Sequence, residues 1–182
     1  ITLANLTGAG VRVIHDGFGS GNILQASANS LITANSLLLE LNNSTGGSIG
    51  TQVSPILTSG VTSLTTQVSG SGETAVMNNN GVAGPALVVQ GMNSGGGNIK
   101  LVNDTDINLT SNCDCSFDQI GIHSQGGNIY LQSTAGSIAG SDEINASAVS
   151  ANEAFPNGGR IDLIAAQNIN LTGAIISDGY SQ

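Results

Sequence analysis

Basic residues are almost missing from this 182-residue chain: Arg12, Lys100 and Arg160 stand against twelve acids, for a formal net charge of -9. Phosphate recognition needs clustered Lys and Arg, so nucleic acid is excluded as a partner, and anionic membrane surfaces fall on the same ground. Aromatic residues make up 3% and Trp is absent, so the core has to be aliphatic. Charged residues reach 8%, against about 25% in an ordinary domain. With two His, two Cys and three basic side chains, few general acid-base arrangements are open. No apolar run approaches the ~18 residues of a membrane span. The longest candidate, from Val82 to Val89, is interrupted by Gly84 and Pro85, and no membrane insertion is expected. The start at Ile1, without an initiator Met or a basic-apolar leader, reads as a processed chain or a piece of a longer one.

What is abundant is small and polar: 26 Gly, 22 Ser, 20 Asn and 14 Thr, beside 39% hydrophobic residues, more than a disordered linker carries. The chain repeats itself. Gly97-Asn98-Ile99-Lys100-Leu101 is followed, eight residues after its Ile and Leu, by Ile107-Asn108-Leu109-Thr110. Gly159-Arg160-Ile161-Asp162-Leu163 is followed at the same offset by Ile169-Asn170-Leu171-Thr172, 62 residues further on and without a gap. Gly127-Asn128-Ile129-Tyr130-Leu131 lies between them, with Ile138 nine residues after Ile129, and Gly21-Asn22-Ile23 has Ile32 at the same nine-residue offset.

Within each copy apolar and polar residues alternate with period two, the signature of a strand with one buried face. Each strand is bounded by Gly, Asn, Ser or Asp, the residues of tight turns. The apolar run from Ser36 to Leu41 is too short for a stable helix. Very short strands, Gly-rich corners and an Ile/Leu/Val interior predict an all-β fold, a right-handed parallel β-helix (β-solenoid) in which each coil stacks its aliphatic side chains on those of the next. Coils of roughly 20 to 24 residues at ~4.8 Å per coil give about eight coils. The whole chain, 1–182, reads as a single solenoid, with longer-loop coils at about 51–95.

The combination of Gly46-Gly47-Ser48-Ile49-Gly50-Thr51, Pro55-Ile56-Leu57, Leu64, Asn79-Asn80-Gly81 and Gly97-Asn98-Ile99-Lys100-Leu101 resembles the repeat regions of filamentous-haemagglutinin-like exoproteins. The likeness extends from about Gly21 to Ser177 and rests on short motifs. It implies a β-helical shaft of a large secreted protein, extracellular or at the cell surface, exported through a partner outer-membrane pore and serving adhesion or biofilm. Such shafts usually lack cysteine, so Asn112-Cys113-Asp114-Cys115 departs from the pattern, and no export domain is recognised.

Cys113 and Cys115 are the only cysteines. On an extended strand their side chains would share one face at about 6 to 7 Å, too far for a disulfide, so bonding requires a turn, which Asn112, Asp114 and Ser116 supply. A local or intersubunit disulfide, free thiols and metal ligation all stay open. Asp104 and Asp106 are weak Ca²⁺ candidates, with Asp142 and Glu143 a second pair. Counting from Asp104, Leu109 and Cys115 stand where an EF-hand needs Gly and Glu, so a solvated loop is the better account and no metal is assigned.

A polysaccharide lyase or hydrolase is the enzymatic alternative on a β-helix. Its only nominees are Asp162 beside Arg160 and Asp104 near Lys100, a pattern that an exposed strand also produces for solubility alone. His15 and His123 end strand-like runs without a Ser, Cys or Glu partner that spacing identifies. The expectation is therefore a non-catalytic structural or adhesive solenoid, with no catalytic residue and no cofactor. Surface glycans or a neighbouring cell surface are its expected partners. Strand-like ends at Thr2 to Thr7 and Gly173 to Ser177, with no capping helix outside them, add head-to-tail self-association through the solenoid ends.

Overall fold

The computed structural model describes residues 1–42, 45–110, 121–148 and 157–179, which form strands, turns and bends with no helix. Among these residues every pairing between strands is parallel. The chain is a β-solenoid, as the period-two repeats require.

Register defines the coils. One column runs Val11, Leu37, Leu64, Val89, Leu109, Gly140, Leu171, each paired with the next. A second runs Val13, Leu39, Thr66, Met92, Ile122, Ile144, Ile175. On another side of the coil, Ile23 bridges Ile49, Ile49 bridges Thr74, and Thr74 leads to Ile99, Ile129 and Ile161. Each full column has seven members, so the described residues stack in seven layers. The hydrogen-bonded steps are 26, 25, 25, 30 and 32 residues, longer than the sequence suggested, which accounts for fewer coils than eight.

Residues 51–95, irregular in sequence, contribute Ile56–Ser59, Ser63–Val68, Thr74–Asn79 and Leu87–Ser94 to the same parallel stack. Their irregular look comes from a register shift at Leu64/Thr65 and from inward polar residues, Thr58, Thr66, Thr74 and Asn78. Both steps that span them are 25 residues. The longer steps, of 30 and 32 residues, run from Asn98 to Asn128 and from Asn128 to Arg160. Leu109 and Ile122 stack on Val89 and Met92, two positions of the single strand Leu87–Ser94.

The three letters of Gly-Asn-Ile have three separate duties. Ile23, Ile49, Ile99 and Ile129 are fully buried in the aliphatic core with Leu101 and Leu131. Ile161 and Leu163 point into the same core but are half-buried, because only one neighbouring coil covers them.

The middle residue builds a ladder between coils. The backbone N-H of Ser48 donates to Asn22 Oδ1 (2.8 Å), that of Glu73 to Ser48 Oγ (3.0 Å), that of Asn128 to Asn98 Oδ1 (2.9 Å) and that of Arg160 to Asn128 Oδ1 (2.8 Å). Asn98 Nδ2 donates to Glu73 Oε1 at 3.4 Å and completes the chain.

The glycine stacks backbone on backbone. A Cβ placed on Gly72, Gly97, Gly127 or Gly159 would lie well inside 3.0 Å of the carbonyl oxygen of the preceding glycine in the series that starts at Gly47. The repeat therefore extends to Gly47-Ser48-Ile49 and Gly72-Glu73-Thr74, where other acceptors take the middle position.

Replacing Asn98 with Ala leaves the Asn128 N-H without its acceptor and is expected to cost about 1–2 kcal/mol. Asn98→Asp, which keeps an acceptor oxygen, should recover most of that loss. Urea midpoints of the two variants check this.

One row of polar side chains inside the coil is paired in the same manner, while the buried Thr66 and Thr74 hydroxyls make no hydrogen bond among the described residues. Thr58 Oγ1 donates to Asn78 Oδ1 (2.8 Å), Asn78 Nδ2 to Asn103 Oδ1 (2.9 Å) and to the Val61 carbonyl (3.0 Å), and Asn103 Nδ2 to Thr105 Oγ1 (3.0 Å). A buried amide is tolerated where its donors and acceptors are met, and this row turns one corner of the coil without aliphatic filling.

Candidate functional site

Asp104 and Asp106 brace the stack on its two sides. Asp104 accepts from the backbone N-H groups of Asn80 (Oδ1, 2.7 Å) and Gly81 (Oδ2, 2.8 Å) in the preceding coil, while Asp106 Oδ1 accepts from Ser137 N-H (2.7 Å) in the following one. Thr105 between them is buried and donates to the Pro85 carbonyl (2.8 Å). The two carboxylates thus spend oxygen atoms on backbone donors of opposite neighbours. Among the described residues no three His, Cys, Asp or Glu side chains converge as a metal site. Cys113 and Cys115 lie outside the described residues.

His15 Nδ1 accepts from Gly17 N-H (3.0 Å), with Gly17 and Gly21 packed against its ring, so it ties a corner at the end of Leu6–His15. His123 Nδ1 lies 3.8 Å from Glu143 Oε1, where the register that pairs Ile122 with Ile144 sets adjacent coils side by side.

The enzyme nominees separate differently. Arg160 and Asp162 form an ion pair, with both Nε and Nη2 at 2.7 Å from Oδ1. Lys100 points away from Asp104 and donates from Nζ to the Gln52 carbonyl (3.0 Å). Parallel register places Lys100, Tyr130 and Asp162 in one outward column on successive coils. Lys100 and Asp162 are two layers apart, about 9.6 Å at ~4.8 Å per layer.

That outward column lines a groove of about 600 Å³, bordered also by Gln52, Met77, Val102, Gln132 and Arg160. Asp162 is its one carboxylate, and that group is already held by Arg160. Glycoside hydrolysis by the usual route asks for two carboxylates, and only one borders this groove. Tyr130 donates from its hydroxyl to Gln132 Oε1 (2.8 Å), two residues on along the same outer face, so the side chain reaches along its strand. Sequence reading passed over Tyr130, Gln132, Gln52 and Met77. The first two were within reach, since the residue after the Ile of Gly-Asn-Ile must face outward and must align from coil to coil. Gln52 and Met77 carry no motif, and only the coil register brings them to the groove.

Comparison with known proteins finds no matching family model, no matching curated protein and no matching solved structure.

Proposed function

We propose that this chain is a non-catalytic shaft segment: a rigid, extracellular solenoid of a surface adhesive protein, whose ends receive further coils. The observation that carries this reading is the unbroken parallel stack, whose inner columns are paired from coil to coil through all seven described layers. Along the sides the inner strands from Ile32–Leu41 to Ile144–Asn145 are paired on both edges. In the seventh layer Ile169 and Ile175, register partners of the buried Ile138 and Ile144, stay 49% and 52% exposed, and in the first Ile1 is 47% exposed. A further coil stacked on either face, from the same chain or from another copy, would cover that aliphatic surface and pair its strands. The resemblance to haemagglutinin-like repeats supports the adhesive setting, and the scarcity of carboxylates in the groove supports the absence of catalysis.

Such a contact is heterologous, so copies of this segment should add head to tail. Ile144 donates its N-H to the Ala174 carbonyl, which leaves the N-H of Ile175, its register partner, facing the open edge. At the other end Leu24 donates to the Ile1 carbonyl and pairs with Thr2, so the Thr2 N-H faces outward. Proline at either position removes a donor from the growing edge only. The parent is expected to show concentration-dependent light scattering and rods by electron microscopy, with Thr2→Pro and Ile175→Pro remaining short and folded. A concentration-independent parent monomer would sink the head-to-tail element. The alternative, a carbohydrate-active enzyme, predicts product release from a polysaccharide that Asp162→Asn abolishes, and the shaft reading expects none.

A further inference from the structure

We infer that the outer groove around Tyr130 is a binding site for an uncharged oligosaccharide. The inference rests on the shaft reading above, in that the groove serves recognition on the flank of a non-catalytic rod.

Three observations lead to this ligand class. First, the groove offers no main-chain edge. Thr74–Asn79, Ile99–Asn103 and Ile129–Ser133 are each paired on both sides, so an extended peptide has no backbone partner and recognition falls to side chains alone. Second, the charges cancel. Lys100 and Arg160 are matched by Asp162 on the wall and by Glu73 just behind it, which accepts from the Gln52 N-H (3.0 Å) and from Asn98 Nδ2. A polyanion finds no net attraction there and meets a chain of net charge -9. A polycation finds no free carboxylate, since Asp162 is held by Arg160.

Third, the side chains present are those that suit a ring carrying both hydroxyls and apolar C-H faces. Tyr130 reaches along its strand to Gln132, with Met77 and Val102 on neighbouring outward positions. Gln132 accepts from Tyr130 through Oε1, and its Nε2 adds a donor to the groove lining. The Gln52 Nε2 donor, shut off from solvent, makes no hydrogen bond among the described residues, and its side chain lines the groove. Donors and acceptors of both kinds beside an aromatic platform match the vicinal hydroxyls of a neutral hexose.

The test is calorimetric titration of the folded chain with neutral hexaoses of glucose, mannose and galactose, beside hexagalacturonate and hexaglutamate. One or more neutral hexaoses should bind, with affinity insensitive to salt. Tyr130→Ala should weaken that binding about tenfold or more, while Tyr130→Phe, which keeps the ring, should stay within about threefold. Both variants should unfold at the parent's urea midpoint and assemble like it, which separates loss of the site from loss of the fold. Failure of every neutral sugar to bind, tighter binding of the uronate or the peptide, or an unchanged Tyr130→Ala would each overturn the inference while leaving the shaft reading intact. Cleavage of a bound hexaose would overturn the non-catalytic reading instead.

Discussion

Ile129→Asp should unfold the solenoid at a markedly lower urea concentration than the parent, with a loss of about 3–5 kcal/mol. Ile129 is fully buried, and its register partners are Ile99 above and Ile161 below, so a carboxylate there meets aliphatic carbon on both sides. No basic side chain faces this column: Lys100 projects outward to the Gln52 carbonyl and Arg160 outward to Asp162. The charge can only be neutralised by taking up a proton or hydrated by opening the stack, and both destabilise the folded state. In a solenoid the loss also reaches the neighbours, because each coil is covered only by the ones beside it. Ile129→Val, which removes a single methylene, is the matched control and should cost about 0.5–1.5 kcal/mol. An aspartate variant that unfolds with the parent would refute the placement of this column in the core.

Gly127→Val is expected to be comparably damaging, for a steric and not a solvation reason. The new Cβ would strike the carbonyl group of Gly97 and the backbone nitrogen of Asn98. Backbone atoms cannot rotate away as a long side chain can. Relief requires the two coils to part, which would stretch the Asn128-Asn98 ladder bond and expose Ile99 and Ile129 together. A loss of about 3 kcal/mol or more is expected, since overpacking typically costs 1–3 kcal/mol and here the neighbour is immovable. Gly10→Ala is the control: nothing lies within 4 Å of its Cβ position, in the exposed part of Leu6–His15. It should be neutral or raise stability by a few tenths of a kcal/mol, by restricting the unfolded chain. Equal effects at the two glycines, read from urea midpoints, would mean that the close stacking of the glycine column does not matter to stability.

Much of the architecture was legible in the residues alone, and for a definite reason. A solenoid core is a stack of equivalent positions, so each coil writes its own copy of the pattern into the chain. Ile99/Leu101, Ile129/Leu131 and Ile161/Leu163 announce three members of one inner column, and they lie together on consecutive coils. The copies at Gly47-Ser48-Ile49 and Gly72-Glu73-Thr74 were harder to read as repeats, because what the ladder needs at the middle position is an oxygen acceptor and not asparagine itself.

The site residues were less legible. Lys100 and Asp104 are four apart in the chain and suggest a pair, but one lies on the outer face of Ile99–Asn103 and the other at the corner just beyond, bonded to Asn80 and Gly81. Gln52 and Lys100 are 48 residues apart and touch. Composition, alternation and repeat spacing by themselves determined that the chain is all-β, parallel, aliphatic inside and poor in catalytic groups, since these follow from local periodicity and from the absence of alternatives. Only the tertiary structure decided the number of layers among the described residues and the meeting of Lys100, Tyr130 and Asp162 in one outward column. Those depend on the register between coils, and register is set by the glycine contacts and amide ladders that form when coils stack, interactions between residues 25 to 32 positions apart.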